Sequence, residues 1–358
     1  MALNLALNKD EERKFINVLK GIAIFFVIVG HTVQHFSLGS SVDFYENPIF
    51  KVIYTFHMPL FMLISGYLFF YSFKKRDLKE LIKHRTFPLI STIAVFGILK
   101  YYLTTGVESV LNRNFSALLN GECLKGLYEF WFLWSVIASS LIVSVVFKKI
   151  NNKLLQLLCL VPLSGLIVFF PSYTLTLFVF PYFVIGFCFS LYREKIPAFL
   201  MKLKYASLVI FPVMLMFYEK KHYIYTSGLI GSQYSIKEYI FIDAFRWAIG
   251  LVGSLFIITV VFLIFKIKPL EKLFTALSKL GGYTLQIYVY QTIILSGMVD
   301  VFLPRILNML NATNILPENA VLYNAVIVPI LSVISTIFFY FMSKWLNKFK
   351  FIQAVFGR

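Results

Sequence analysis

Charge is scarce in this chain. Only 14% of its 358 residues are Asp, Glu, Lys or Arg, against about 25% in soluble domains. With 59% hydrophobic residues and a mean hydropathy of +0.78, a water-soluble enzyme is excluded, and no polar stretch is long enough to build a separate soluble domain. Cysteine is nearly as rare. Cys123, Cys159 and Cys188 share no metal-ligand spacing, and an odd count argues against a disulfide framework. No metal site is expected from these cysteines, and no permanently bound cofactor is expected in the chain. Acidic residues number 17 against 34 basic ones, for a net charge of +17. Basic nucleic-acid binders carry such charge on a water-soluble face. Here it lies in short loops between apolar runs, where it orients spans and meets anionic lipid.

What the chain has in quantity is apolar runs. Segments of about 17–25 mostly apolar residues fall near 15–36, 49–72, 87–104, 128–147, 154–170, 173–191, 205–218, 239–265, 281–302 and 321–345. The expected fold is all-α and polytopic, with about ten transmembrane helices in a single domain over 1–358. Residues 1–14 form a cytoplasmic N-terminal tail and 346–358 a cytoplasmic C-terminal tail. The 40 Phe and 21 Tyr suit lipid-facing and interfacial positions. Pro171-Ser172 is expected to close a tight hairpin between the fifth and sixth segments. The polar, acidic start and the lack of a small-residue cleavage site mark segment one as retained rather than as a signal peptide. With the N-terminus cytoplasmic, alternate loops hold 25 of the 34 basic residues and the opposite loops seven. That asymmetry puts both termini inside.

Ionisable residues within spans are costly and mark sites of function. Lys20 lies about 8 Å in from the inner edge and His31 about 24 Å in, while His57 on the second segment lies about 12 Å below the outer edge. Two histidines from adjacent antiparallel helices thus reach matched depth, and each can titrate near neutrality. His35 is expected at the interface, and His84 and His222 in solvated loops. Asp243 and Arg246, three residues apart on one helical face, either neutralise each other or form a polar wall for a hydroxylated acceptor. Trp131 and Trp134 suit either sugar stacking or an interfacial aromatic belt. Arg85, in the basic segment KKRDLKELIKHRTFP before the third span, is the best placed cation for binding phosphate in a fork geometry.

These residues fall in recognisable motifs. INVLKGIAIFFVIVGH, with Lys20 and His31 separated by ten residues, resembles the opening helix of the acyltransferase-3 membrane family. FHMPLFMLISGYLF, with His57, is similar to that family's second-helix signature. Arg85 and Pro88, FWFLWSV at 130–136 and YTLQIYVYQT at 283–292 resemble its later segments. The wording is most similar to the surface-polysaccharide O-acetyltransferase and fucose 4-O-acetylase-like branch. Two positions depart from the family: Asn17, where an acidic residue is common, and Gln291, where His often stands. Gln291 can hydrogen-bond an acceptor but cannot act as a base. No hydrolase-like domain is expected after the last span.

The resemblance implies transfer of an acyl group, usually acetyl, from acyl-CoA to a hydroxyl of a cell-envelope glycan or glycolipid at the bacterial inner membrane. Acetyl-CoA is then a co-substrate whose phosphates meet Lys20 and Arg85. His31 is general base or acyl carrier, and His57 orients it, shares its proton or steadies the oxyanion. Expected partners are acyl-CoA, a glycan or lipid-linked saccharide and membrane lipids, without nucleic acid. A transporter or flippase for a lipid-linked glycan is the alternative of a different class. It would suit ten spans and a polar centre, and it would release no thiol.

Overall fold

The computed structural model describes residues 7–36, 43–112, 125–197, 202–229, 233–299, 305 and 323–357. Cys123 lies outside these residues. The principal helices are α1 (Lys9–Phe36), α2 (Pro48–Lys75), α3 (Phe87–Asn112), α4 (Trp131–Lys149), α5 (Lys153–Ser164) and α6 (Tyr173–Leu191). They continue with α7 (Ser207–Met216), α8 (Ile236–Ile264), α9 (Glu271–Gly281), α10 (Thr284–Ile293), α11 (Val328–Leu346) and α12 (Lys350–Val355). Among the described residues there is no strand. Among those residues seven helices are long and apolar enough to cross a membrane, and the protein is an all-α polytopic membrane protein. Three shorter apolar helices, Lys153–Phe169, Leu203–Met216 and Thr284–Val299, fall on the fifth, seventh and ninth apolar segments of the sequence.

Local chemistry sets the helix ends. At the start of α8, Ser235 Oγ accepts from the Glu238 N–H while a Glu238 carboxylate oxygen accepts from the Ser235 N–H at 2.8 Å. This reciprocal cap satisfies two of the donors that a helix start leaves unpaired. Asn152 caps α5 by accepting from the N–H groups of Leu154 and Leu155. Between the 3-10 turn Gly165–Phe169 and α6, Ser172 adopts a left-handed φ of 54°, the kink that lets two apolar helices follow each other across a three-residue link.

The chain gathers into two compact units. The first comprises Met1–Ala23, Val52–Lys83 and Trp134–Gly282; the second comprises Ile24–Lys51, His84–Leu133 and Tyr283–Arg358. In the first unit, α2 and α6 meet through glycines. A Cβ on Gly66 would sit 2.0 Å from the Phe183 carbonyl oxygen, and one on Gly186 would sit 2.0 Å from that of Leu63. Helices in lipid gain little from apolar contact alone, so close backbone approach at small residues supplies the packing. The glycine of the SGYLF motif is therefore a crossing point. Gly21 and Gly281 do the same for α1 and α9, against Leu277 and Asn17.

At one end of the first unit a polar knot ties three helices together. Glu12 on α1 accepts from Tyr67 Oη on α2 and from Arg193 Nη1, just after α6, at 2.9 Å. In the second unit, α12 docks on α3. Thr92 Oγ1 donates to the Val355 carbonyl at 3.0 Å, and Phe96 stacks on Phe356 at 5.3 Å.

Candidate active site

Helix α1 runs unbroken from Lys9 to Phe36, so Lys20 and His31 belong to one rod. Eleven residues are three turns plus about 20°, with a rise of about 16 Å. The two side chains therefore leave the same stripe of the helix at different depths. Lys20 is half-buried on the part of α1 that belongs to the first unit, next to the Gly21 crossing. Arg85, in the π-helical turn Ile82–Thr86 that leads into α3, is exposed.

His31 and His35 lie in the second unit. His35, expected at the interface, is buried against the protein, 6% exposed. Its Nε2 is 3.2 Å from Nδ1 of His31, and the two rings are nearly parallel, 7° apart with centroids 5.4 Å from each other. The i, i+4 spacing of GHTVQH could have revealed this pair, since residues four apart share a helix face. Its turn of α1 is held by Tyr323, whose hydroxyl donates to the Val33 carbonyl at 3.3 Å.

His57 is buried in the first unit, 5% exposed, with its ring edge-on to Tyr54 at 4.7 Å. Its Nδ1 lies 2.8 Å from the Ile53 carbonyl oxygen. A carbonyl only accepts, so Nδ1 carries the proton and the neutral ring has its lone pair on Nε2. Neutral His57 can thus take a proton at Nε2 but cannot donate from it. Of the roles expected for this residue, proton sharing fits the tautomer, and donation to an oxyanion requires the ring to be charged.

Asp243 and Arg246 sit on α8 under the segment that connects α7 to α8. Arg246 Nη1 donates to Asp243 Oδ1 at 2.5 Å and to the Gly228 carbonyl at 3.0 Å. Nε donates to the His222 carbonyl at 2.9 Å, and Nη2 donates to the Lys221 carbonyl and to Ser227 Oγ. A guanidinium has five N–H donors, and protein acceptors meet all five. Arg246 therefore braces the loop that covers it. Of the two expectations for the pair, mutual neutralisation is the one these contacts express.

That loop corrects an expectation. His222 is buried rather than solvated, 7% exposed, and packs against Phe245 at 4.6 Å. Its Nδ1 accepts from the Glu219 N–H at 2.8 Å. Burial, reinforced by the neighbouring Lys221 charge and the more distant Arg246, pushes its pKa down to about 4, while Glu219 opposes the shift. The sign follows. Above about pH 6.5 both folded and unfolded loops hold a neutral ring, so the contribution to folding is complete. Between about 6.5 and 4 the unfolded loop binds a proton that the folded one does not, so stability falls with pH. Hydrogen exchange of residues 219–229 at pH 7 and pH 5 should show faster opening at pH 5, and His222→Gln should remove most of that difference. Beneath this loop is a narrow cleft whose lining includes Tyr54, Tyr218, His222, Tyr225 and Arg246.

In the second unit, Gln291 on α10 is fully buried. Its amide donates to Thr292 Oγ1 at 3.0 Å, while among the described residues Oε1 has no hydrogen-bond partner, nor does the neighbouring Tyr290 hydroxyl. An unmet buried acceptor costs about 1–3 kcal/mol. Trp131, half-buried, opens α4. Lys100, within the third apolar segment, pairs with Glu129 at 3.1 Å and lies 3.4 Å from Ser296 Oγ.

Membrane helices that bury imidazoles, a lysine and an arginine define an integral membrane protein with internal ionisable sites. The family is specific. A family model described as an acyltransferase domain matches residues 13–344, and the chain belongs to that family. Over 197 residues it is 30% identical to the nodulation protein NolL of Sinorhizobium fredii, covering 52% of this chain and 50% of that protein. It is also 28% identical over 178 residues to NolL of Mesorhizobium japonicum, covering 48% and 46%. The chain spans about half the length of the curated relatives it matches. No solved structure matches it.

Proposed function

We propose that the protein is an O-acyltransferase of the bacterial inner membrane. It moves an acyl group, acetyl in the simplest case, from acyl-CoA to a hydroxyl of a cell-envelope glycan or glycolipid. What supports this most directly is helix α1. One continuous rod carries a cation and an imidazole on the same stripe, about 16 Å apart in depth. That separation suits a donor whose anionic nucleotide stays near the water while its thioester reaches into the bilayer.

Two cations, each taken within its own unit, suit the donor's phosphates: Lys20 as a point charge and Arg85 as a planar fork. His31 Nε2 takes the proton from the acceptor hydroxyl as its oxygen attacks the thioester carbonyl. The tetrahedral oxyanion collapses with cleavage of the carbon–sulfur bond. The departing thiolate takes up the proton from His31, so free CoA thiol and an O-acyl ester leave a neutral imidazole. His57 is a second proton acceptor through Nε2. The acceptor's own hydroxyl groups suit the buried Oε1 of Gln291, which a donor would satisfy, and Trp131 offers a face for a sugar ring. Asp243 and Arg246 serve the acceptor indirectly, by holding the loop above the tyrosine-lined cleft.

The test is purified protein in lipid nanodiscs with radiolabelled acetyl-CoA and a panel of envelope glycans. Acceptor-dependent release of thiol, matched by label on the glycan, is expected. Movement of a lipid-linked glycan across the bilayer without thiol release would replace this function with transport.

A further inference from the structure

His31 can act as a base toward the acceptor only while its lone pair sits on the right nitrogen. A neutral imidazole has two tautomers, and only the one with hydrogen on Nδ1 is basic at Nε2. The group facing Nδ1 decides between them. That group is Nε2 of His35, 3.2 Å away. Two features suit His35 to a fixed role. It is buried, 6% exposed, so rotation into water does not compete with the contact. Its helical turn is also anchored, because Tyr323 Oη donates to the Val33 carbonyl and Thr32 Oγ1 donates to that of Ile28 at 2.8 Å.

The pair can be written in two ways. If His35 Nε2–H donates to His31 Nδ1, His31 carries hydrogen on Nε2 and cannot accept a proton there. If His31 Nδ1–H donates to His35 Nε2, the lone pair of His31 sits on Nε2, and the imidazolium formed during reaction finds an acceptor already aligned with its other proton. We propose that His35 is the positioning residue of the acyl-transfer reaction: its Nε2 accepts from His31 Nδ1–H and holds His31 in the tautomer that is basic at Nε2. This rests on His31 being the reaction's base.

Three variants in nanodiscs test it, read by thiol release. His35→Phe keeps a planar ring but offers no acceptor. It should lower kcat by about 10–100-fold, the range for removing the group that orients an active imidazole, with KM for acetyl-CoA within about 3-fold of wild type. His35→Gln restores an acceptor oxygen near the same place and should regain at least about 5-fold over His35→Phe. A packing role predicts instead that the ring-preserving variant is the better one. Wild-type kcat in His35→Phe, or no advantage of His35→Gln over it at equal thermal midpoint, overturns the proposal. His31→Ala separates the two levels. An inactive His31→Ala with unaffected His35 variants sinks only the positioning role, whereas full turnover in His31→Ala sinks the base assignment beneath it.

Discussion

Replacing His31 by alanine should lower kcat for acetyl transfer by about 10²–10⁴-fold, the usual worth of a positioned general base. KM for acetyl-CoA should stay within a few-fold. The separation follows from α1, which puts the proposed phosphate contact at Lys20 and the proton transfer at His31 eleven residues later. Deleting the base leaves donor binding in place, and the loss appears in the chemical step. Lys20→Ala should do the reverse, raising KM for the donor with a smaller change in kcat. The check is steady-state thiol release from nanodisc protein whose insertion and thermal midpoint match wild type. Equal turnover in His31→Ala, or a rise confined to KM, would remove His31 from the chemistry.

Replacing Arg246 on α8 by methionine should destabilise the loop between α7 and α8 more than any other single change. Methionine keeps much of the aliphatic length but removes all five donated hydrogen bonds. It also leaves Asp243, with a side chain 10% exposed, as a buried carboxylate without its partner. Breaking one side of such a pair costs about 3–5 kcal/mol, and three backbone carbonyls of the loop lose a donor besides. A markedly lowered thermal midpoint is expected, with loss of hydrogen-exchange protection across 219–229. Asp243→Asn should cost less, because the guanidinium keeps its four other acceptors. An Arg246→Met protein as stable as wild type, with the loop still protected, would show that the brace carries no weight.

Some of this molecule was legible before any coordinates. The ten apolar segments could be placed because a bilayer demands long apolar stretches with internally satisfied backbones. Lys20 and His31 stood out because charge within such a stretch needs a reason. Glu12, by contrast, looked like part of a polar tail, yet it bonds Tyr67 and Arg193, 55 and 181 residues away. The partner of Lys100, Glu129, lies beyond the end of its helix, where no local pattern points to it. His222 was expected in water because a loop sequence does not reveal which arginine will gather its carbonyls.

Residue order alone determined that the chain is helical, membrane-spanning and related to acyltransferases, and that Lys20 and His31 share a stripe. Hydropathy, helical periodicity and motif spacing are local properties, set by neighbours a few residues apart. Tertiary structure decided that Tyr323 anchors the turn of α1 that carries His31 and His35, that Arg246 spends its donors on a loop, and that Gly66 and Gly186 let two helices touch. Each of these depends on a contact direction or on a distance of closest approach. A linear pattern constrains such quantities only weakly, because side-chain rotamers and helix crossings are settled by packing.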